Sequence, residues 1–231
     1  MSKLNKTDKA DSEVLARFAM TADLHFWQPL PEHIQLLNAL LDRRAVLCED
    51  LQREKNRLEK AESTFTIEPV LQSIHKSIKQ LNKHIQDIDQ QIDQNPDLKN
   101  DKELLSSITA IADRTSLLML SFLRSHHFER ASQAVAFVGL VPIQRQSGSS
   151  IHGRSRLSKA GSSKIRAGLY MAAIVATRHN PHIKEMNERL LANGKTKMMA
   201  IGAAMRKLVH LCYGVLKHQQ PYQENYCINS Q

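Results

Sequence analysis

Apolar residues recur with helical spacing in almost every segment of this chain that has a pattern. Between Lys9 and Phe26, Val14, Leu15, Phe18 and Ala19 form one stripe, which Pro29 and Pro31 then break. From Glu32 to about Ala61 a highly charged stretch carries Ile34, Leu37, Leu41, Leu51 and Leu58, with Arg44 and Lys55 interrupting the seam. The next stretch is stricter: Ile67, Leu71, Ile74, Ile78, Leu81, Ile85, Ile88 and Ile92 alternate steps of four and three, the heptad rhythm of a left-handed supercoil. These two stretches predict a helical hairpin that turns between Ala61 and Glu68, with Pro69 tolerated in a first helical turn and Asn95-Pro96 ending the second arm. So regular a seam packs either on the first arm or on a second copy of the chain. A homo-oligomer is therefore expected, and the pattern leaves both pairings open.

Beyond Asp101 the spacing predicts shorter helices from Glu103 to about Ile111, Asp113 to Leu123 and Arg130 to Phe137. Gly139 to Gly161 is rich in Gly and Ser with little periodicity and reads as a loop, ordered by itself or by a ligand. Helix resumes at Ser162 or Ser163 as N-cap and runs to about Arg178, before Asn180-Pro181. A last helix places Met198, Ile201, Met205, Leu208, Cys212 and Val215 on one face. No convincing series of alternating strands occurs. The expected fold class is mainly α, a long coiled-coil hairpin followed by a basic helical domain.

Composition narrows the function. With 231 residues, 42% hydrophobic and 24% charged, the chain suits soluble globular units rather than a disordered tail. Its apolar runs fall short of the ~20 residues of a membrane span, so no membrane partner is expected. The first residues lack the apolar core of a secretory signal. Cys48, Cys212 and Cys227 match neither a disulfide framework nor a zinc spacing, and a reducing, cytoplasmic location is the expectation. The net charge of +9 is unevenly spread: residues 1–142 hold 18 Lys/Arg and 20 Asp/Glu, residues 143–217 hold 14 and 2, and no acid occurs between Gln144 and Lys184. Such a one-sided distribution is a footprint for phosphates, because neutralising them releases counterions, and nucleic acid is the leading partner.

Three segments carry candidate chemistry. Asp8 and Asp11 lie three apart at a helix start, on one face, where two carboxylates supply part of the oxygen set of Mg²⁺ or simply complement the helix dipole. The loop brings together Arg145, Ser147, Ser149, Ser150, Arg154, Arg156 and Lys159 with glycines, followed by Lys164 and Arg166, a mixture that suits phosphate contact; one of the serines is also a possible nucleophile, although no His or Asp stands in triad order. Ala192-Asn-Gly194-Lys195-Thr196 is not a P-loop, because Arg189 occupies the position of its first glycine; Lys195 and Lys197 read as cations at a helix start, a placement that favours a nearby anion. His126-His127 has no acid or Cys at ligand spacing and reads as filler.

From Phe137-Val-Gly139-Leu140-Val-Pro142 to Pro221-Tyr222, through the serine loop, Lys164-Ile-Arg166-Ala-Gly-Leu-Tyr170, Ala192-Asn-Gly194-Lys195 and Met205-Arg206-Lys207-Leu208, the chain closely resembles the C-terminal domain of the DEDD-type insertion-sequence transposases related to the Piv DNA invertase. Lys6-Thr7-Asp8-Lys9-Ala10-Asp11 with Leu15-Ala16 resembles the last acidic motif of that family's RuvC-like nuclease domain, and a coiled-coil arm between the two parts belongs to the same architecture. The resemblance implies segments 1–30 (end of the RuvC-like domain), 31–97 (arm), 98–222 (serine transposase domain) and 223–231 (tail). It implies that Ser147 attacks DNA, that Asp8 and Asp11 are the last two of four metal-binding acids for Mg²⁺, and that a structured guide RNA selects the DNA. The family's first Asp and its Glu lie on strands that would precede residue 1, so the RuvC-like α/β domain is expected to be largely absent and the chain, as a C-terminal portion, inactive alone. A second departure is Thr109-Ala110-Ile111-Ala112, where relatives carry a Pro-Gly-Ile-Gly turn. The competing expectation is a non-catalytic nucleic-acid-binding oligomer, a relic or a regulator.

Overall fold

The computed structural model describes residues 7–21, 28–63, 67–143, 146–147, 151–152 and 156–224. In chain order these form α1 (Asp8–Thr21), α2 (Glu32–Ser63), α3 (Glu68–Asp93), α4 (Pro96–Ser106), α5 (Asp113–Arg124) and α6 (Ala131–Val138). Four two-residue strands follow, β1 (Pro142–Ile143), β2 (Gln146–Ser147), β3 (Ile151–His152) and β4 (Arg156–Leu157), and then α7 (Ser163–His179), α8 (Pro181–Ala192) and α9 (Lys197–His218). The chain divides into two units, Met1–Pro31 and Glu32–Gln231. In the first, α1 has Asp8 and Asp11 in its first turn, and Val14, Leu15 and Phe18 of the apolar stripe are exposed. The end of the helix expected up to Phe26 falls on residues 22–27, outside the described ones.

In the second unit the seam of α3 meets its own α2. Ile88 and Ile92 are buried, as are Ile34, Leu37 and Leu47 of α2, while Leu71 to Ile85 are half-buried, since a two-helix arm covers only one side of each seam residue. Arg44, which interrupts the apolar pattern, is not a defect. Its Nε and Nη2 donate to the two carboxylate oxygens of Asp89 at 2.6 and 3.1 Å, its side chain is only 17% exposed, and the Asp89 hydrogen bonds hold the guanidinium above its ordinary pKa against the cost of burial. A forked pair of this kind fixes the register of the two helices. Lys55 is exposed and off the seam. At the arm's root Lys102 Nζ donates to Asp93 at 2.6 Å and lies 3.8 Å from Asp113; burial opposes its charge, but the two carboxylates outweigh it and raise its pKa.

Two Asn-Pro pairs do more than the sequence reading allowed. Asn95 ends α3 and also caps α4, its side chain accepting from Asp97 N at 3.0 Å with Pro96 at the first helical position, so the helix expected from Glu103 begins seven residues earlier. Asn180 likewise ends α7 and caps α8, accepting from Ile183 N at 3.2 Å. The whole of α8 was missed because its Pro181 looks like a stop. Ser162 is the N-cap of α7, its hydroxyl accepting from Ile165 N at 3.4 Å.

α9 is the helix on which α4, α5, α6, α7 and α8 all pack. Its buried residues include Gly202, Ala204, Met205, Leu208, Val209, Cys212, Val215 and Leu216, a broader surface than the single face expected, while Met198 at its start is exposed. The Cys212 thiol is pushed up to about 12 by complete burial, so it packs as an apolar group. By length and composition α9 is apolar enough to cross a membrane, contrary to the expectation from apolar runs, and half of its apolar span is buried under its neighbours. In the turn before α5, Ala110 has φ 86, the left-handed region that the relatives' glycine would adopt without strain.

Removing the Arg44 fork by Arg44→Ala is expected to lower unfolding free energy by about 1–2 kcal/mol, the cost of a charged hydrogen-bonded pair reduced by the partial exposure of Asp89. Ala110→Gly is expected to raise it by about 1 kcal/mol, since left-handed backbone costs an L residue ~1–2 kcal/mol and glycine returns part of that as unfolded-state entropy. Urea titration of both variants measures the two effects.

Candidate nucleic-acid interface

The serine-rich loop starts where α6 stops. Gly139 takes φ 80, and its N–H and that of Leu140 donate to Ala136 O and Val135 O at 3.0 Å, a Schellman ending that only a residue at ease with positive φ provides cheaply. The loop returns at Gly161, φ 88. The two glycines let the stems touch backbone to backbone: a Cβ on Gly139 would lie 2.0 Å from Ala160 O, and one on Gly161 1.9 Å from Phe137 O. Lys159 N donates to Gly139 O at 3.1 Å and Ser158 N to Val141 O at 2.9 Å.

Arg166, expected at the phosphates, has a different set of partners. Its Nη1 donates to the carbonyls of Val138, Gly161 and Ala160 at 2.9, 3.0 and 3.3 Å, so the side chain ties α6 to the returning stem. Above this clamp the chain rises as a nested hairpin: Pro142 pairs with Leu157 and Ile143 with Arg156, then Gln146 with His152 and Ser147 with Ile151. The expected loop thus carries two short antiparallel ladders, which its lack of periodicity did not show. Ser147 is the last residue of the outgoing side, and Gly148-Ser149-Ser150 join it to β3. Arg145, Ser149, Ser150 and Arg154 lie outside the described residues. Leu157 anchors the first ladder, meeting Gly202 of α9 where an added Cβ would come 3.4 Å from Leu157 Cδ1.

Cations lie on this hairpin's return stem and at the starts of the helices that follow it. Arg156 and Lys159 are exposed on the return stem, and Lys164, in the first turn of α7, reaches Asp42 of α2 at 3.4 Å as an exposed pair. Lys195 and Lys197 are exposed at the turn between α8 and α9. There Gly194, φ 72, ends α8 with Lys195 N donating to Leu190 O at 3.0 Å, and Thr196 caps α9 by accepting from Met199 N at 3.4 Å. The motif that failed as a P-loop is thus a helix stop joined to a helix start. No acid occupies the first turn of α7, α8 or α9. Sequence reasoning passed over His126. Its ring belongs to a cluster with Phe122, Phe128 and Phe137 beside the loop's stem, and its Nδ1 lies 2.9 Å from Phe122 O. Asp8 and Asp11 stand in the other unit, both exposed. Their hard oxygens suit Mg²⁺ in kind, and among the described residues no three His, Cys, Asp or Glu side chains group closely enough to hold a metal.

Residues 102–188, which contain the clamp and the hairpin, match the "Transposase IS116/IS110/IS902 family", and residues 1–64 match a second transposase domain, of the DEDD type. The chain is 32% identical over 225 residues to the "Pilin gene-inverting protein" of Moraxella bovis, covering 95% of this chain and 68% of that protein. The chain belongs to the IS116/IS110/IS902 transposase family. The same identity and coverage hold for the "Pilin gene-inverting protein" of Moraxella lacunata, and a 22% match over 161 residues, 69% of this chain and 40% of the relative, reaches the "Insertion element IS110 uncharacterized 43.6 kDa protein" of Streptomyces coelicolor. Membership of a transposase family implies DNA binding, and a DEDD domain implies a divalent metal.

In this transposase Gly161→Ala is expected to cost at least about 2 kcal/mol, since it adds left-handed strain to an overlap with the Phe137 carbonyl. Thermal unfolding measures the loss, and faster tryptic cleavage at Arg154 and Arg156 reports the opened base.

Proposed function

We propose that this transposase joins DNA strands through a covalent serine intermediate. Ser147 Oγ attacks the scissile phosphorus, the bond from phosphorus to a deoxyribose oxygen breaks, and that oxygen leaves with the proton given up by the serine hydroxyl. The phosphodiester is conserved as a Ser–O–P linkage, which a hydroxyl of the second strand then attacks, restoring Ser147. What carries this reading is that Ser147 closes a hairpin mounted on a backbone clamp, within a stretch of the chain that has no acid from 144 to 184. Arg145, Ser149, Ser150, Arg154, Arg156, Lys159, Lys164, Lys195 and Lys197 hold the phosphates, and Arg166 serves by keeping the base closed.

Asp8 and Asp11 would hold Mg²⁺, and the bound ion supplies Lewis-acid relief of phosphate charge. Two carboxylates are half of a four-acid set; the other two acids would come from an RuvC-like domain, and joining requires all four. A structured guide RNA shares the basic surface, and a second copy joins through the arm. The non-catalytic binder is the competing reading, favoured by the lack of a complete metal cluster among the described residues.

Mixing the chain with labelled element-end DNA, RNA and Mg²⁺, with and without a separately supplied RuvC-like domain, tests both. A denaturant-resistant protein–DNA adduct is expected in the complemented mixture. Ser147→Ala is expected to abolish it while leaving DNA affinity and its salt dependence unchanged, and Asp8→Asn to reduce it at least tenfold. An adduct persisting in Ser147→Ala removes the serine assignment. Salt-sensitive binding with no adduct in either mixture establishes the binder. Each substitution of Lys195 or Lys197 by Gln is expected to lower the slope of log affinity against log salt by about 1.

A further inference from the structure

The ring cluster has an exposed face that the joining chemistry does not use. His126 and Phe137, which is 49% exposed, have centroids 4.4 Å apart. Phe122, 3% exposed, and half-buried Phe128 back them at 5.5 to 5.9 Å. This backing holds both rings in place, so a further ring laid on them costs little ordering entropy. The contact of His126 Nδ1 with the Phe122 carbonyl makes Nδ1 the protonated nitrogen in the neutral ring and fixes its plane.

The position of the pair bears on the joining site. The Phe137 carbonyl is the one that Gly161 packs against, and Arg166 binds the next carbonyl, Val138, at 2.9 Å, so the pair sits at the foot of the Ser147 hairpin, one residue from the carbonyl that holds the Arg166 guanidinium. A groove of about 930 Å³ reaches Phe122 and His126 and runs past Ser162, Lys164 and Ile165 toward α2, leaving Phe137 at its edge. That volume is at the upper end of the ~300–1,000 Å³ of pockets that take small ligands. The groove's acids Asp89, Asp93 and Asp113 lie toward the arm, Asp89 paired with Arg44 and the other two with Lys102; the rest of its charged lining is Arg114 and the exposed pair of Lys164 with Asp42 at 3.4 Å.

From these contacts we infer that the His126–Phe137 pair is a stacking platform for an unpaired nucleobase of the DNA strand presented to Ser147. Base–aromatic stacking beside a cation is the common device of single-strand binding, and every base has a π-face to offer. A duplex keeps its bases stacked on one another and gains nothing from the platform, so the pair selects DNA that is unpaired next to the joining site. This inference rests on the reading that the hairpin holds DNA.

The test measures the affinity of the whole chain for a fluorescein-labelled single strand and for its duplex, across a salt series. Phe137→Leu keeps an apolar side chain in the cluster and removes the stacking face; it is expected to weaken single-strand binding about 5- to 150-fold and leave duplex binding and both salt slopes unchanged. His126→Leu, at an exposed position, is expected to act in the same direction, and Phe137→Trp to keep single-strand binding. Quenching of a 2-aminopurine in the strand is expected with the native chain and lost in Phe137→Leu. Unchanged single-strand affinity in both leucine variants overturns the platform, as does an equal loss for single strand and duplex, which marks the rings as support for the hairpin. A native chain that binds neither form overturns the DNA reading of the hairpin and the platform with it.

Discussion

The contact on which the candidate site depends is the one between two backbones at Gly139 and Gly161. Neither glycine can carry a Cβ, because each would drive it into a carbonyl oxygen of the opposite stem at about 2 Å. Closing the stems this tightly leaves carbonyls at the end of α6 and on the returning chain that need a donor, and Arg166 supplies it from α7. The ladders above are two residues long, and Leu157 anchors the first of them against Gly202. Strands that short are not stable by themselves. The position of Ser147 is therefore inherited from the clamp and from the helices α6, α7 and α9 that bear it.

Electrostatics add a second constraint. α7 has Lys164 in its first turn, α9 begins with Lys197, and neither helix has an acid in its first turn. A cation there opposes the helix dipole and costs a few tenths to about 1 kcal/mol, which an anion removes. Lys164 finds such a partner in Asp42, but at 3.4 Å and with both side chains mostly exposed that pair contributes little. A phosphate competes readily for the same ammonium. The unfavourable local charge becomes favourable when a polyanion is bound, as expected of a DNA-binding family.

The periodic helices were legible in the sequence because their spacing is local: the heptads of α3, the cap at Ser162 and the end of the arm at Asn95 follow from residues within one or two turns. What escaped was of two kinds. Asn-Pro reads as a stop, yet Asn95 and Asn180 each end one helix and cap the next, so α8 was missed and α4 was placed seven residues late. The other kind depends on residues far apart in the chain. Gly139 and Gly161 are 22 positions apart and carry no shared signature, so Arg166 looked like a phosphate ligand rather than a clamp, and His126 looked like filler because Phe137, the ring nearest to it, is on the next helix. The turn at Ala110 lies between: the missing glycine was visible, the positive φ it leaves behind was not.

The arm and the hairpin are joined through the same set of helices. Arg44 ties α2 to α3 at Asp89, Lys102 ties the root of α3 to α4 and α5 through Asp93 and Asp113, and Asn38 of α2 exchanges hydrogen bonds with Ser121 and Ser125 of α5 at 2.6 and 2.8 Å. α5 in turn supplies Phe122 to the ring cluster behind Phe137, whose carbonyl meets Gly161. The path from the arm to the serine hairpin thus runs through side chains that are paired or packed at each step. The groove between arm and rings touches both ends of that path, so the pairs that fix the arm's register also set the width of that groove.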